Sequence, residues 1–219
     1  MSFGDVSVDG LSRSAAAPGR AMLTGLIGSA MGLDFCDSWF LTQLQDSLVF
    51  ASREDRRGET ITDYQTVDLS QPHMRQGWTT RGGVEGRWGG SSHGTHIRHR
   101  EMICGGAITT VLSMNAQASG PSLDQVAAAL KAPARAVFLG RKHAIPSAPV
   151  FVDLVEGRSL LSILRSAPPL DLLHEGTRCW VPGRAEAGCF PVYDRRDWSN
   201  QIHTGRSWVR IVKYGDLDA

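Results

Sequence analysis

The order of the predicted elements indicates an α+β fold, and a ferredoxin-like fold that lacks its first strand would give this order. Three observations lead to this prediction: an apolar helix near the start, β-branched segments on both sides of a long basic excursion, and a capped helix after them. The length of 219 residues suits one large domain or two small ones. Apolar residues make up 42% of the chain and charged residues 21%, which excludes collagen-like, coiled-coil and wholly disordered proteins.

The start of the chain is predicted to form an extended lead-in followed by a helix. Residues 1–19 are rich in Gly, Ser and Ala, and Pro18-Gly19 breaks the chain before a helix predicted over 20–31. Glycine in a helix costs up to about 1 kcal/mol relative to alanine, so the glycines of this helix indicate the close approach of another backbone or of a ligand. Three elements are predicted next: a helix over 37–46, a strand over 47–53 and a strand over 60–69.

The segment 70–100 has a different composition from the rest of the chain. It holds seven glycines, five arginines and four histidines, with Trp78 and Trp88 between them. No helical or strand period extends across it, and a connection of this length is usually functional or disordered. Arginines that alternate with aromatic rings are typical of surfaces that bind single-stranded nucleic acid, whereas the alternative is a solvated loop with incidental arginines. The arginines are Arg75, Arg81, Arg87, Arg98 and Arg100.

Regular structure is predicted again after this segment. An apolar, β-branched run predicts a buried strand over 107–114, and Ser122 with Gln125 three residues later predicts a capped helix start. The stretch 139–142 predicts a basic glycine turn, either an ordinary turn with solvated charges or one whose N–H groups bind an anion. The remaining predicted elements are a strand over 147–152, a short helix over 159–165 and an alternating strand over 207–214.

Charge is distributed unevenly, although the formal net charge is only +1. Residues 1–69 carry a net charge of −5, residues 70–150 carry +6, and residues 151–219 are neutral overall. An anionic partner is therefore expected at the middle third. The longest apolar stretch, 21–33, is shorter than the roughly 18–20 residues that cross a bilayer, and no basic-then-apolar leader precedes it. We expect a cytoplasmic protein without a membrane partner.

Histidines in and near the basic segment leave several chemistries open. His93, His96 and His99 follow one another at spacings of three, which would place them on one face of a helix, but the preceding glycines argue against a helix. Histidines that contact phosphate or water are the interpretation we prefer over a metal site, and we expect no metal or other cofactor. A metal-independent ribonuclease that uses these histidines or Tyr64 is an alternative, because two groups with pKa values near neutrality can move the required protons.

Four segments, in the same order and spacing, resemble the CasD family, the fifth CRISPR-associated protein, in its type I-E form. The resemblance extends over roughly residues 2–152, and the final third matches loosely through 194–198 and 206–212. The four segments are Pro18 to Gly28, Asp63 to Val67, Arg100 to Cys104, and Phe138 to Lys142.

The resemblance implies a subunit of the Cascade surveillance complex from the RAMP superfamily. Such subunits have a ferredoxin-like core with an inserted β-hairpin thumb, hold the 5′ handle of the guide RNA (crRNA), and contact the CasC backbone subunit and the large CasA subunit. Target DNA is reached through the complex. The resemblance also implies a core over 1–153 with the thumb at about 70–105, and a smaller β-rich part over 154–219. Another subunit cuts the precursor RNA in type I-E systems, so a non-catalytic role is expected.

The resemblance also implies which residues contact RNA. In addition to the arginines of the basic segment, the implied residues are Arg20 and Thr24 in the first-helix motif, Tyr64 in the D-Y-H-T stretch, Arg100 at the thumb base, and Phe138, Arg141 and Lys142 in the basic turn. The family's first strand is almost absent, since residues 1–4 match only its last positions, which a late start codon or a truncated chain would explain. Gln65 replaces the family's usual His and cannot act as a general acid or base, which argues against a nuclease at this motif. The enzyme alternative comes from type I-C relatives, which are metal-independent endoribonucleases that process precursor RNA.

Overall fold

Four α-helices and eleven strands occur in the part of the chain that the computed structural model describes, which is residues 1–8, 10–72, 76–78, 84–86 and 94–217. The helices are α1 (Arg20–Ala30), α2 (Ser38–Ser47), α3 (Leu123–Lys131) and α4 (Leu160–Ser166). The strands are β1 (Phe3–Val8), β2 (Leu11–Ala15), β3 (Leu48–Arg56), β4 (Glu59–Asp68), β5 (Gln76–Trp78), β6 (Val84–Gly86), β7 (Thr95–Cys104), β8 (Ala107–Met114), β9 (Arg178–Pro182), β10 (Cys189–Asp197) and β11 (Ile202–Lys213). A short 3-10 helix, Tyr214–Asp216, follows the last strand.

The strands form two main sheets and one small hairpin. The larger sheet has the order β10-β11-β9-β3-β8, and every neighbouring pair in it is antiparallel. The second sheet has the order β1-β2-β7-β4, in which β2 runs parallel to β7. Strands β5 and β6 pair only with each other among the described residues. The α+β class predicted from the sequence is therefore confirmed.

Helices cover both faces of the larger sheet because successive side chains of β3 alternate between the faces. Leu48 of β3 packs with Ile27 of α1, Leu44 of α2 and Val126 of α3 in one buried cluster. Three residues further on, Ala51 belongs to a second cluster, which includes Leu164 of α4, Cys179 and Val181 of β9, and Leu217. Truncating a buried leucine of such a cluster to alanine costs about 2–5 kcal/mol, so these two clusters hold the helices to the sheet.

Local signals that were read from the sequence account for the helices. A Cβ atom on Gly28 would lie 2.7 Å from Cδ2 of Leu41, which shows that the glycines of α1 permit the close approach of α2. The capping box of α3 is confirmed, because Gln125 N donates to Ser122 Oγ at 3.2 Å and Ser122 N donates to Gln125 Oε1 at 2.8 Å. Ser159 caps α4 in the same way. Among the residues described, no helix is both long and apolar enough to cross a membrane.

A two-stranded ribbon made of β4 and β7 extends the β3–β8 pair. The two strands pair without interruption from Glu59 opposite Cys104 to Asp68 opposite Thr95. At the junction with β3 and β8, Nε of Arg56 donates to the carbonyl of Gly105 at 2.6 Å. The ribbon therefore rises directly from the larger sheet, and β7 carries the last six residues of the basic segment, 95–100.

Three predictions from the sequence were wrong in detail. The expected lead-in over 1–19 contains β1 and β2, because β2 finds a parallel partner in β7 at Leu11–His99 and Ser12–Arg100. The segment 70–100 was expected to lack regular structure, yet β7 begins within it at Thr95 because β4 supplies a ladder. The strand expected over 147–152 is irregular, since prolines at 146 and 149 remove two N–H donors and no strand lies beside it in the described residues.

Candidate nucleic-acid interface

The β4–β7 ribbon separates the predicted site residues onto its two faces. Directly opposed residues in an antiparallel pair share a face, so the pairs Asp63–Arg100 and Gln65–Arg98 lie on one face. The pair Tyr64–His99 lies on the other face, where the two rings meet edge to face with centroids 5.2 Å apart. Tyr64 is 58% exposed. The strand pattern thus places the arginines together and places Tyr64 apart from them.

The basic glycine turn packs against the start of the chain. Ser2 N donates to the carbonyl of Leu139 at 2.8 Å, and Ala144 N closes the turn by donating to the carbonyl of Arg141 at 2.9 Å. Gly140 has a φ of +95°, and a Cβ at this position would lie 1.7 Å from the carbonyl oxygen of Ser2. Only glycine permits this contact, because it accepts the left-handed conformation and leaves room for the Ser2 carbonyl.

Residues 1 and 2 connect the turn to β7. The amino group of Met1 donates to the carbonyl of Ile103 at 2.7 Å, and Ile103 N donates back to the carbonyl of Met1 at 2.8 Å. Burial lowers the pKa of the Met1 amino group. On the other side of the turn, Nε2 of His143 contacts Sδ of Met102 at 2.6 Å. Arg98, Arg100 and Met102 are at every second position of β7, so their side chains share one face. The turn, which contacts Met102, therefore lies beside the arginine face of the ribbon.

Arg98 and Arg100 of β7 and Arg141 of the turn therefore lie close together. With Lys142, the next residue after Arg141, we call them the basic cluster. The pKa of Arg141 is lowered, first by partial burial and second by the positive charge of Arg100, while Asp63 raises it. Within the described part of the chain, no carboxylate lies within 4 Å of the guanidinium of Arg100 or Arg141. Two guanidinium groups that repel each other and lack a carboxylate partner are suited to bind a phosphate, which accepts forked hydrogen bonds from both.

Arg20 and Thr24 are not part of this surface. Thr24 is fully buried, and its hydroxyl donates to the carbonyl of Arg20 at 2.8 Å. The Arg20 guanidinium donates to the carbonyls of Gln45 and Leu48 and to the hydroxyl of Ser207, and burial lowers its pKa. Arg20 thus holds α1 against β3 and β11. The hydroxyl of Thr24 bonds within the helix and is closed to any ligand.

The other predicted residues are placed as follows. Phe138 is half-buried and directly precedes the turn, while Lys142 is exposed. His96 and His99 lie on opposite faces of β7, because they are three positions apart in a strand whose side chains alternate. In the described ranges no group of three or more His, Cys, Asp or Glu side chains could hold a metal ion. Five predicted residues lie outside the described residues: Arg75, Arg81, Arg87, Trp88 and His93.

Sequence reasoning missed the contribution of the first two residues to this site. Met1 and Ser2 bring the turn to β7 through backbone hydrogen bonds, which leave no mark on the residue types. The one available signal was Gly140 within a basic turn, since an isolated glycine at such a position indicates close approach of another backbone.

Comparison with known proteins gives consistent similarities. A family model of CRISPR-associated proteins (Cas_Cas5) matches residues 1–210 of the chain. The chain is 29% identical over 170 residues to the CRISPR system Cascade subunit CasD of Escherichia coli (strain K12), which covers 78% of this chain and 73% of that protein. The fold is similar to that of a chain in a CRISPR RNA-guided surveillance complex, with a TM-score of 0.70, 24% identity, and coverage of 97% of this chain and 85% of that one. It is also similar to a structure described as a Cas protein, with a TM-score of 0.61, 21% identity, and coverage of 97% and 87%.

Proposed function

Since the chain belongs to the Cas5 family of CRISPR-associated proteins, we propose that it binds guide RNA as a non-catalytic subunit of a type I-E CRISPR Cascade antiviral surveillance complex. The observation that supports this most directly is the basic cluster, in which Arg100 of the ribbon and Arg141 of the turn lie close enough for one charge to lower the pKa of the other. The ligand is the 5′ handle of the crRNA.

Binding at this site is electrostatic and depends on shape. The arginines neutralise phosphates, while Gly140 lets the turn pack on Ser2 and so holds Arg141 beside β7. Tyr64 lies on the opposite face of the ribbon, 58% exposed, where its ring is available for a base that has left the stack. The ribbon thus presents phosphate contacts on one face and an aromatic ring on the other.

The architecture we propose is a ferredoxin-like RAMP core over residues 1–153, with a thumb at about 70–105, and a β-rich part over 154–219. In the described residues β8 is the last strand of its sheet and pairs only with β3. A ferredoxin-like order would place its first strand on that open side of β8. The proposed protein partners are the CasC backbone subunit and the large CasA subunit, with target DNA reached through the complex.

The test is binding of the purified protein to labelled repeat RNA over a range of salt concentrations. Arg141→Ala and Arg100→Ala should each weaken binding about tenfold. In each variant the slope of log K against log salt concentration should become shallower by about 0.7, the value for one lost phosphate contact. Arg158→Ala, which removes an exposed arginine just before α4, is the matched control and should bind as the parent protein does. Equal affinity of all three variants would contradict the proposed site.

A metal-independent endoribonuclease that processes precursor CRISPR RNA is the second candidate, because the rings of Tyr64 and His99 meet at 5.2 Å on an exposed face. The same RNA is therefore analysed on a denaturing gel without metal. Intact RNA in the presence of bound protein supports the non-catalytic proposal. Discrete cleavage that disappears in both His99→Ala and Tyr64→Phe would establish the nuclease instead.

A further inference from the structure

A second surface that combines cations and aromatic rings lies on the hairpin formed by β10 and β11. Ser207 of β11 accepts a hydrogen bond from Arg20 of α1, so this residue faces the helix. Side chains at the alternate positions Arg206, Trp208 and Arg210 consequently point to the opposite face of the sheet. Trp208 is directly opposite Pro191 of β10.

Tyr193 extends this surface on β10. Its neighbour Asp194 faces α1, because Asp194 accepts a hydrogen bond from Arg20 N at 2.7 Å. Tyr193 therefore points to the same side as Trp208, and it is 63% exposed. Strand β11 is paired with β9 on one edge and β10 on the other, so these side chains stand on a rigid backbone. We call Tyr193, Arg206, Trp208 and Arg210 the hairpin surface.

The Arg206–Trp208 pair differs from two similar pairs in the same sheet. In each of the three pairs the guanidinium lies over an indole, at 5.2 Å for Arg178–Trp180, 5.2 Å for Arg196–Trp198 and 5.3 Å for Arg206–Trp208. The guanidinium of Arg178 is held by Glu54 at 2.6 Å and 3.0 Å, and that of Arg196 by Gln201. In the described part of the chain, Arg206 and Arg210 have no such acceptor and are exposed.

The charge of the surface favours an anionic ligand. No acidic residue occurs at positions 189–193 or 202–210, and Asp194, which follows Tyr193, faces α1 on the other side of the sheet. Guanidinium groups bind phosphates, and exposed aromatic rings stack on bases with little sequence preference.

We propose that the hairpin surface binds a single-stranded segment of nucleic acid, with Arg206 and Arg210 on phosphates and with Tyr193 and Trp208 against bases. This goes beyond the proposed handle site, because the hairpin surface shares no residue with the basic cluster. It gives the protein a second contact along a nucleic-acid strand.

The test is photo-cross-linking of the full chain to a ten-nucleotide polyuridine strand that carries 5-iodouridine, followed by peptide mapping. We expect cross-links at Tyr193 or Trp208. The double variant Arg206→Ala/Arg210→Ala should weaken binding of this strand about five- to tenfold. The slope of log K against log salt concentration should become shallower by about 1.4, that is, about 0.7 for each lost phosphate contact. Arg57→Ala/Arg158→Ala, which removes two exposed arginines elsewhere, is the control with the same change in net charge.

Two further variants separate stacking from folding and from the handle site. Tyr193→Ala should weaken binding about tenfold while Tyr193→Phe retains it, since the phenyl ring stacks as well as the phenol. The cross-link should persist in Arg100→Ala/Arg141→Ala, which impairs only the basic cluster, so failure of one site is distinguishable from failure of the other. The proposal is overturned if no cross-link maps to the hairpin and affinity is unchanged. It is also overturned if Tyr193→Ala loses co-purifying protein subunits but keeps full affinity for RNA.

Discussion

Asp194 of β10 caps the start of helix α1 by accepting a hydrogen bond from the backbone N–H of Arg20 at 2.7 Å. The residue at the N-cap position itself, Gly19, has no side chain and makes no such bond. The carboxylate is 93% shielded, since only 7% of Asp194 is exposed, and it lies at the positive end of the helix dipole. A residue distant in sequence thus replaces the local cap that α1 lacks.

Asp194→Ala should lower the free energy of unfolding by about 1–2 kcal/mol, because it removes both the cap and the favourable charge at the helix start. Asp194→Asn should lower the free energy of unfolding by less, since the amide oxygen still accepts the hydrogen bond. Urea unfolding monitored by circular dichroism measures the difference, with Asp216→Ala, an exposed carboxylate, as the control. An unchanged midpoint for Asp194→Ala would rule out this cap.

A buried ion pair attaches helix α4 to strand β3. Arg53 is 0% exposed, and its Nε lies 2.6 Å from Oδ1 of Asp55, while Nη1 donates to the carbonyl of Ala167 at 3.0 Å. Arg53→Ala should destabilise the fold by about 3–5 kcal/mol because it leaves the Asp55 carboxylate buried without its partner. The double variant Arg53→Met/Asp55→Leu should recover part of this loss. Thermal unfolding of the single and double variants provides the comparison, and equal stability of the two would show that the unpaired charge is not the cause.

Gly140 controls the position of the basic turn, so Gly140→Ala should weaken RNA binding about as strongly as Arg141→Ala does. The new methyl group would meet the carbonyl oxygen of Ser2 at 1.7 Å and displace the turn from β7. Gly188→Ala is the matched control, because Gly188 also has a positive φ, +82°, but no atom lies within 4 Å of its Cβ position. Backbone strain at a positive φ should cost each variant about 1 kcal/mol of stability, and Gly140→Ala should cost more because of its clash with Ser2. Only Gly140→Ala should reduce RNA affinity. A parallel loss of RNA affinity in Gly188→Ala would disprove the specific role of the turn.

The four thiols should react at very different rates in the folded protein. Cys36 and Cys104 are exposed, whereas Cys179 is buried and burial raises its pKa to about 11. Iodoacetamide at pH 8 should therefore modify Cys36 and Cys104 quickly and Cys179 only after unfolding, as peptide mass spectrometry would show. Rapid native modification of Cys179 would contradict the burial of β9.

The same thiol makes stability depend on alkaline pH. Because the pKa of Cys179 is higher in the fold than its ordinary value of 9.0, its contribution to stability is complete below pH 9 and is lost as the pH rises toward 11. The difference in unfolding free energy between the parent and Cys179→Ala should thus shrink over this interval. A difference that stays constant from pH 8 to pH 11 would argue against this thiol as the titrating group.

Local signals predicted the helices well, whereas pairing between distant strands could not be read from the sequence. Ser122 and Gln125 predict the start of α3, because a capping box is formed within only four consecutive residues. The residue pattern alone did not predict strand β7, because arginine and histidine rarely mark a strand and its ladder comes from β4. Only the family resemblance implied a β-hairpin in this region. Conversely, 147–152 has the residue types of a strand, but a strand forms only beside a partner.

The candidate site follows the same division. Arg100, Arg141 and Lys142 were identified from a pattern of residue types, and the structure places Arg100 and Arg141 near each other. Arg20 and Thr24 belong to a matching motif, but the structure uses both inside the fold. Residue identity therefore gives candidates for RNA contact, and the tertiary arrangement separates exposed candidates from side chains that bond within the protein.

The position of β9 between β3 and β11 fixes the order in which the chain can fold during its synthesis. Strand β3 can pair with β8 once residue 114 has emerged from the ribosome, but its other edge waits for β9, which begins at residue 178. At about 5–20 residues per second, this interval lasts roughly 3–13 s. Throughout it the nascent chain presents an unpaired strand edge, which is a template for aggregation. The last strands therefore convert an aggregation-prone intermediate into a finished sheet, and a delay in their synthesis would leave the chain dependent on chaperones.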